Sequence, residues 1–145
     1  MKWNATVLVT GVFDVLHVGH LDLLEFARGV GEDNCVFKRR VKVIVGINTD
    51  ASVEKLGKGP DRPRNNNNAR KRMLEALGYE VRLFQDPDAS GLITQLHPDF
   101  WVKGPDYAGK VPVELAALAA YGGQFRTMPT YRNRVSTTSL LEKTK

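Results

Sequence analysis

Short apolar runs alternate along the chain with longer segments in which apolar residues recur at helical spacing. Five runs with the length and composition of buried strands lie at residues 5–10, 41–47, 80–84, 100–103 and 124–128. Segments with helical spacing lie at residues 21–29, 69–77, 89–96, 112–121 and 136–143. This alternation predicts an α/β fold, in which a mainly parallel five-stranded sheet is covered on both faces to give a three-layer α/β/α sandwich.

Ligands of such sheets bind beyond the carboxyl ends of the strands, so the loops there are the expected place for chemistry. Three loops meet this condition, at residues 11–20, 48–68 and 104–110. The second is rich in glycine, proline and asparagine. Its four consecutive asparagines, at 65–68, predict a mobile loop tip.

The bulk composition indicates a single globular domain. Of the 145 residues, 42% are hydrophobic and 26% charged, and no apolar run approaches the roughly 20 residues of a membrane-spanning helix. The start of the chain lacks a signal-peptide pattern and Cys35 is the only cysteine, so we expect a cytoplasmic protein without an internal disulfide. Cys35 falls in a polar stretch, 31–40, that predicts a loop, and we interpret it as a spectator because no histidine is near it in sequence.

The net charge of +5 is unevenly placed. Residues 38–82 hold 12 of the 21 basic residues and 5 acidic ones, a local excess of seven positive charges. An anionic partner would match this excess: a nucleic acid backbone, or a triphosphate together with a phosphorylated co-substrate. A solvated basic face is a third interpretation. Aromatic residues are not interleaved with the stretch, which argues against a single-strand nucleic acid binder.

Two histidines flank a glycine where the first predicted strand passes into the first predicted helix. His17 and His20 enclose Gly19, and glycine lets the backbone approach a ligand closely. The start of a helix offers unpaired N–H groups to a phosphate, and each imidazole can donate to a phosphoryl oxygen. This combination favours a site that stabilises charge on a phosphoryl group. The third histidine, His97, precedes a proline at a helix end and is interpreted as a structural turn residue.

The segment 11–20, with its H-x-G-H pattern, resembles the signature of the cytidylyltransferase-like nucleotidyltransferases. Segments 58–63, 101–107 and 136–138 are similar to blocks of the ADP-heptose synthase adenylyltransferase domain, whereas 106–110 and 136–138 also resemble glycerol-3-phosphate cytidylyltransferase. The blocks follow the family order and span nearly the full length. The resemblance implies one Rossmann-like nucleotidyltransferase domain over residues 1–145.

The resemblance also implies roles for individual residues. The implied catalytic set is His17, His20, Lys58, Ser136 and Thr137. The implied nucleotide-binding set is Gly11, Val12, Phe13, Asp14, Gly19, Lys103, Gly104, Asp106, Tyr107 and Thr138. The implied co-substrate-binding set is Asp50, Arg62 and Arg70. No protein metal ligand is expected, because Mg²⁺ would be held mainly by the triphosphate and water.

The implied reaction transfers a nucleoside monophosphate from a nucleoside triphosphate, ATP in preference, to a sugar phosphate such as heptose 1-phosphate. A CTP-dependent enzyme acting on glycerol phosphate or another alcohol phosphate is the first alternative, and an FAD-synthase-like use of ATP and FMN is the next. Tyr131 stands where the glycerol-phosphate branch has an arginine, which weakens the CTP alternative. A non-enzymatic nucleotide-binding or nucleic-acid-binding module is the alternative from another class. A homodimer is expected from the family, with neither a membrane nor a nucleic acid as partner.

Overall fold

The computed structural model describes residues 4–55, 65–105 and 111–129. The predicted helix at 136–143 lies outside these ranges. So do seven of the predicted site residues, which are Lys58, Arg62, Asp106, Tyr107, Ser136, Thr137 and Thr138.

Strands and helices alternate throughout the described residues. The strands are β1 (Ala5–Gly11), β2 (Val41–Asn48), β3 (Glu80–Phe84), β4 (Phe100–Lys103) and β5 (Gln124–Thr127). The α-helices are α1 (Val18–Asp33), α2 (Asp50–Lys55), α3 (Asn67–Ala76), α4 (Ser90–Leu96) and α5 (Pro112–Ala119). A short 3₁₀ helix, Lys38–Arg40, leads into β2.

All five strands pair in parallel, in the order β3-β2-β1-β4-β5, which confirms the predicted sheet. The chain first builds outward from β1 to β2 and β3, and then crosses to the other side of β1 to form β4 and β5. The direction of winding thus reverses between β1 and β4. In open parallel sheets the ligand crevice lies at such a reversal, beyond the carboxyl ends of the two strands.

The two faces of the sheet bury two separate apolar clusters. On β1, Val7 and Val9 pack with α1 and α3, while Leu8 points to the opposite face and packs with α4 and α5. Trp101 of β4 is 1% exposed on that second face, where its indole N–H donates to Thr10 Oγ1 at 3.0 Å. The central strand is covered on both sides, as the β-branched run predicts, and the three-layer sandwich is confirmed.

Helix α1 is longer than the pattern predicts and runs four residues beyond Gly29. Its glycines do not end it, because one of them is required for packing. A Cβ on Gly31 would meet Val41 Cγ1 at 2.5 Å and Val7 Cγ2 at 3.1 Å, so glycine lets the helix lie close against β1 and β2. The predicted loop at 31–40 is therefore partly wrong. Cys35, just beyond the helix, is buried and donates from Sγ to the Phe37 carbonyl at 3.1 Å.

The segment after β2 differs from the prediction at two places. Helix α2 was not predicted, because its sequence is mostly polar; Val53 is fully buried, and Ser52 N–H donates to Thr49 Oγ1 at the helix start. The asparagine run was predicted as the tip of a mobile loop, and its assignment to a loop tip is wrong. Asn66 caps α3 by accepting from Ala69 N–H at 2.8 Å, and Asn67 and Asn68 form the first turn.

The end of α4 confirms the structural role expected of His97. This residue is the C-cap, with φ at 46°, and its ring stacks on Tyr121 with 4.3 Å between centroids. The Tyr121 hydroxyl donates to the Pro98 carbonyl at 2.7 Å, which ties the end of α5 to the start of β4. Within the described residues, no helix combines the length and the apolar character needed to cross a membrane.

Burial, with a smaller contribution from the Asp99 carboxylate, raises the pKa of Tyr121 from 10.0 to about 12. The folded state thus keeps the phenol proton where the unfolded chain loses it. The contribution of the protonated Tyr121 to the free energy of unfolding is complete below pH 10 and is lost as the pH rises towards about 12. We expect Tyr121→Phe to lower the free energy of unfolding at pH 8 by about 1 kcal/mol, the usual contribution of one hydrogen bond, as measured by urea denaturation. The difference in free energy of unfolding between the variant and the wild type should shrink above pH 10. Equal free energies of unfolding at pH 8 would contradict a stabilising hydrogen bond from Tyr121 to Pro98.

Candidate active site

Helix α1 begins with a reciprocal cap made by two histidines. His17 is the N-cap residue, with φ at −147° and ψ at 175°, and its Nδ1 accepts from Gly19 N–H at 3.0 Å. In return, His20 Nδ1 accepts from the His17 N–H at 3.2 Å. This is a capping box, with imidazoles where a hydroxyl residue and a glutamate are usual. The same two residues therefore begin the helix and occupy the candidate site.

These caps fix the tautomer of both rings. A nitrogen that accepts a backbone N–H does not carry a proton, so the neutral imidazoles hold their protons on Nε2; this assignment follows from the hydrogen-bond network. The rings stack with centroids 3.9 Å apart and an interplanar angle of 26°, and both are half-buried. The expectation of unpaired N–H groups at this helix start is corrected, because the N–H groups of His17 and Gly19 orient the imidazoles instead.

Phe13 packs against one ring of the histidine pair. Its ring lies 5.0 Å from the His20 ring, between centroids, and the residue is 3% exposed. Its backbone has φ at 51°, a left-handed conformation that a bulky residue rarely adopts. A Cβ on Gly11 would lie 3.0 Å from the Phe13 ring, so glycine leaves space for this aromatic side chain. Strained backbone of this kind persists where the surroundings hold it in place, and it is frequent at active sites.

The residue after Phe13 is joined to the start of α3. Asp14 is 1% exposed, and its Oδ1 accepts from the Asn65 N–H at 2.8 Å. The Asn65 side-chain amide donates to the Asp14 carbonyl at 2.7 Å. The two residues thus hold each other through two hydrogen bonds, although 51 positions separate them in sequence. Asn65 was not predicted as a site residue.

Arg70 of α3 is fully buried and joins three segments. Its Nε donates to the Asn65 carbonyl at 3.1 Å, and its Nη1 donates to the Val12 carbonyl at 2.9 Å. Its Nη2 forms an ion pair with Asp50 Oδ1 at 2.8 Å. The sequence predicted direct co-substrate binding by Arg70, and the structure corrects this: the side chain has 0% exposure and its guanidinium is directed at the protein itself.

Asp50, predicted to lie near the co-substrate, remains partly accessible, because 38% of its side chain is exposed. Its second carboxylate oxygen lies next to Asn67; with the amide nitrogen turned towards it, Asn67 donates to Asp50 Oδ2 at 3.2 Å. Asp50 thus begins α2 with one oxygen held from inside by Arg70. The exposed part of the carboxylate can accept hydrogen bonds from a ligand.

The end of β4 forms the other side of the crevice, since β4 pairs directly with β1. Lys103, the last residue of β4, is half-buried, and its carbonyl accepts from Met128 N–H at 3.0 Å. Gly104 follows and is buried. Of the predicted nucleotide-binding residues that the structure describes, Gly11 to Asp14 and Gly19 lie in one turn and helix start, with Lys103 and Gly104 at the end of the adjacent strand.

The site combines a histidine pair with a helix start that contains a glycine. Both lie at the end of β1, where the direction of winding of the parallel sheet reverses. The sequence model of the family described as Cytidylyltransferase-like matches residues 8–143. The chain belongs to the cytidylyltransferase-like family. The resemblance drawn from the H-x-G-H segment and its companion blocks is thereby confirmed.

About two residues in five are identical between this chain and the curated relatives that it matches. The D-beta-D-heptose 1-phosphate adenylyltransferase of Bordetella bronchiseptica is 40% identical over 139 residues, which are 94% of this chain and 80% of that protein. The bifunctional protein HldE of Pseudomonas fluorescens is 38% identical over 142 residues, which are 97% of this chain. The match covers 28% of that bifunctional protein, so this chain spans little more than a quarter of its length.

Solved structures agree on the fold. The lipopolysaccharide core biosynthesis protein of Thermoplasma volcanium superposes with a TM-score of 0.66 at 23% identity, over 85% of this chain and 93% of that one. Pantoate-beta-alanine ligase of Francisella tularensis superposes with a TM-score of 0.50 at 14% identity, over 97% of this chain and 69% of that one. At these identities the likeness concerns the architecture of the sheet and its helices.

The capping role of His17 can be separated from its imidazole by substitution. Asparagine is a good N-cap residue that can still accept from Gly19 N–H, whereas alanine cannot. We expect His17→Ala to lower the free energy of unfolding by about 1 kcal/mol and His17→Asn by only a few tenths, as measured by urea denaturation. Equal losses for the two variants would show that the Nδ1 cap does not stabilise α1.

Proposed function

We propose that this chain is an adenylyltransferase that moves the adenylyl group of ATP onto the phosphate of a heptose 1-phosphate and releases pyrophosphate. The observation that carries the proposal is the match to the B. bronchiseptica adenylyltransferase, which runs through 94% of this chain and most of that protein. The histidine pair at the β1–α1 junction supports it, because imidazole N–H groups can donate to a phosphoryl oxygen and stabilise charge there.

In the proposed reaction, an oxygen of the sugar phosphate attacks the α-phosphorus of ATP. A new P–O bond forms while the bond to the bridging oxygen between the α- and β-phosphates breaks, and pyrophosphate leaves with that electron pair. A phosphate monoester has a second pKa of about 6, so the nucleophile is already ionised at neutral pH and needs no general base. Positioning and charge stabilisation then supply the rate enhancement.

The histidines supply donors for this step. With Nδ1 occupied by backbone N–H groups, each imidazole keeps its proton on Nε2, and these N–H groups are proposed to donate to the α-phosphoryl oxygens, where negative charge grows as the nucleophile arrives. Because the Nε2 atom of His17 is buried, nucleotide binding has to uncover it. The positive end of the α1 dipole acts in the same direction. Lys58, Ser136 and Thr137 are proposed to bind the remaining phosphates, and Asp50 with Arg62 the acceptor.

We propose that Mg²⁺ enters the site on the triphosphate. In the described residues, no group of three or more His, Cys, Asp or Glu side chains is placed to hold a metal ion, and one oxygen of the buried Asp14 carboxylate accepts from Asn65. The imidazole N–H groups proposed to act here are donors, which suit phosphoryl oxygens rather than a cation. An ion bound by triphosphate oxygens and water fits such a site, and when bound it would offset phosphate charge.

We further propose that the protein works in the cytoplasm, where ATP is available, and that it forms a homodimer as the resembled families do. Sedimentation at several protein concentrations would test the dimer. A monomer at micromolar concentration would contradict it.

The substrate pair is tested by pyrophosphate release. ATP and CTP are each combined with heptose 1-phosphate, glycerol 3-phosphate and FMN in the presence of Mg²⁺. We expect the largest kcat/KM for ATP with heptose 1-phosphate, by about tenfold or more over CTP, since groups that hydrogen-bond one base leave polar atoms unpaired with the other. A preference for CTP with glycerol 3-phosphate would replace the proposal with the first alternative, and release that requires no acceptor would contradict the reaction itself.

Two cap-preserving substitutions test the histidine pair. His17→Asn and His20→Gln can both keep the capping hydrogen bonds, because asparagine suits the N-cap and glutamine suits the third helical position of a capping box. Each removes the imidazole with its Nε2–H, and the amide N–H of the new side chain is no longer held in place by ring stacking. We expect kcat to fall about 100-fold or more, as for loss of a donor that stabilises a developing oxyanion. Unchanged turnover would remove the histidines from the mechanism, and a non-enzymatic binding module would show unchanged affinity for ATP in both variants.

A further inference from the structure

Asn65 connects the start of α3 with the turn after β1. Its backbone N–H and side-chain amide both bond to Asp14, at 2.8 and 2.7 Å, and its carbonyl accepts from Arg70 Nε at 3.1 Å. Arg70 in turn donates to the Val12 carbonyl. The segment from Val12 to Asp14 is thereby attached at both ends to the start of α3.

That segment needs an attachment of this kind. Phe13, between the two attached residues, has a left-handed backbone that is unfavourable for a bulky residue and persists only where the surroundings hold it. Its ring contacts His20, and the chain then reaches His17 within three residues of Asp14. A shift of the Val12–Asp14 turn would therefore move the imidazoles relative to a bound triphosphate.

The same network reaches the acceptor side of the crevice. The Arg70 guanidinium that supports Asn65 also holds Oδ1 of Asp50, whose side chain is 38% exposed. The two substrates of the proposed reaction would bind on either side of this network, with the histidine turn on one side and Asp50 on the other.

We propose that Asn65, supported by Arg70, is a positioning residue for the transfer reaction: it fixes the Val12–Asp14 turn and so sets the distance between the histidine pair and the acceptor. The inference rests on the proposed function. It assigns no contact with substrate to Asn65, so its loss should lower kcat more than it raises KM for ATP.

The asparagine run supplies matched controls for this test. Asn66 caps α3 by accepting from Ala69 N–H, whereas the bonds to Asp14 come from Asn65, so Asn66→Ala weakens the same helix start and leaves those bonds in place. Asn68 is an exposed residue of the first turn of α3. The three alanine variants thus change the same residue type within four positions and differ in the contacts that they remove.

We expect Asn65→Ala to lower kcat by between about 10-fold and 100-fold, the effect of displacing catalytic groups by about 1 Å, with KM for ATP changed less than about threefold. Asn66→Ala removes an N-cap, so it should lower the free energy of unfolding about as much as Asn65→Ala does. Its kcat should nevertheless stay within about twofold of the wild type. Asn68→Ala should change neither quantity. Urea denaturation of each variant accompanies the kinetics.

The proposal is overturned if Asn65→Ala and Asn66→Ala lose stability alike and keep wild-type kcat, because Asn65 would then only anchor the helix. Asn65→Asp, which keeps the shape but cannot donate to the Asp14 carbonyl, serves as a second variant should the alanine variant not fold, with the same expected loss of kcat.

A readout without turnover separates this inference from the proposed function. The ring ¹H and ¹⁵N NMR signals of His17 and His20 should shift in Asn65→Ala and stay at wild-type positions in Asn66→Ala. Unshifted rings in Asn65→Ala would overturn the positioning role. If the wild type releases no pyrophosphate with any substrate pair, the proposed function fails while the NMR comparison still decides whether Asn65 positions the histidines.

Discussion

The hydrogen bonds from the N–H groups of His17 and Gly19 to two imidazole nitrogens are the constraint from which the rest of the site follows. A serine and a glutamate would cap the helix equally well. An imidazole uses one ring nitrogen as the cap acceptor and keeps the other as a donor on the same rigid ring. The helix start thus orients the rings and fixes their tautomer.

The sheet determines where this helix start lies. Because the winding reverses between β1 and β4, the chain leaves β1 at the crevice, with β4 on one side and β2 on the other. The histidines therefore stand between the carboxyl end of β4, with Lys103, and that of β2, with Asp50. This placement fits the proposed reaction, in which a nucleotide and an acceptor bound on opposite sides would meet at the imidazoles.

Local sequence patterns were sufficient for the sheet, for most helices and for the histidine turn. They failed where long-range contacts determine the outcome. Helix α2 has only Ala51 and Val53 as apolar residues, and this spacing is too weak to predict a helix. The asparagine run has the composition of a mobile tip, yet Asn65 is held by Asp14, 51 positions away. Arg70 bonds to Val12 across 58 positions, and this separation leaves no local signal.

A stretch of four asparagines before a helix does carry one signal, since asparagine is a favoured N-cap, and Asn66 takes that role. The buried Arg70 shows why the neighbouring contacts matter for geometry rather than for stability. Desolvation of a buried ion pair offsets much of its attraction, so well-packed apolar residues often stabilise a fold as well or better. Apolar residues cannot, however, hold a carbonyl of the β1 turn, a carbonyl of the α3 start and a carboxylate of α2 in fixed directions. The planar guanidinium does so with three nitrogens, and this directional hold is what an active site between three loops requires.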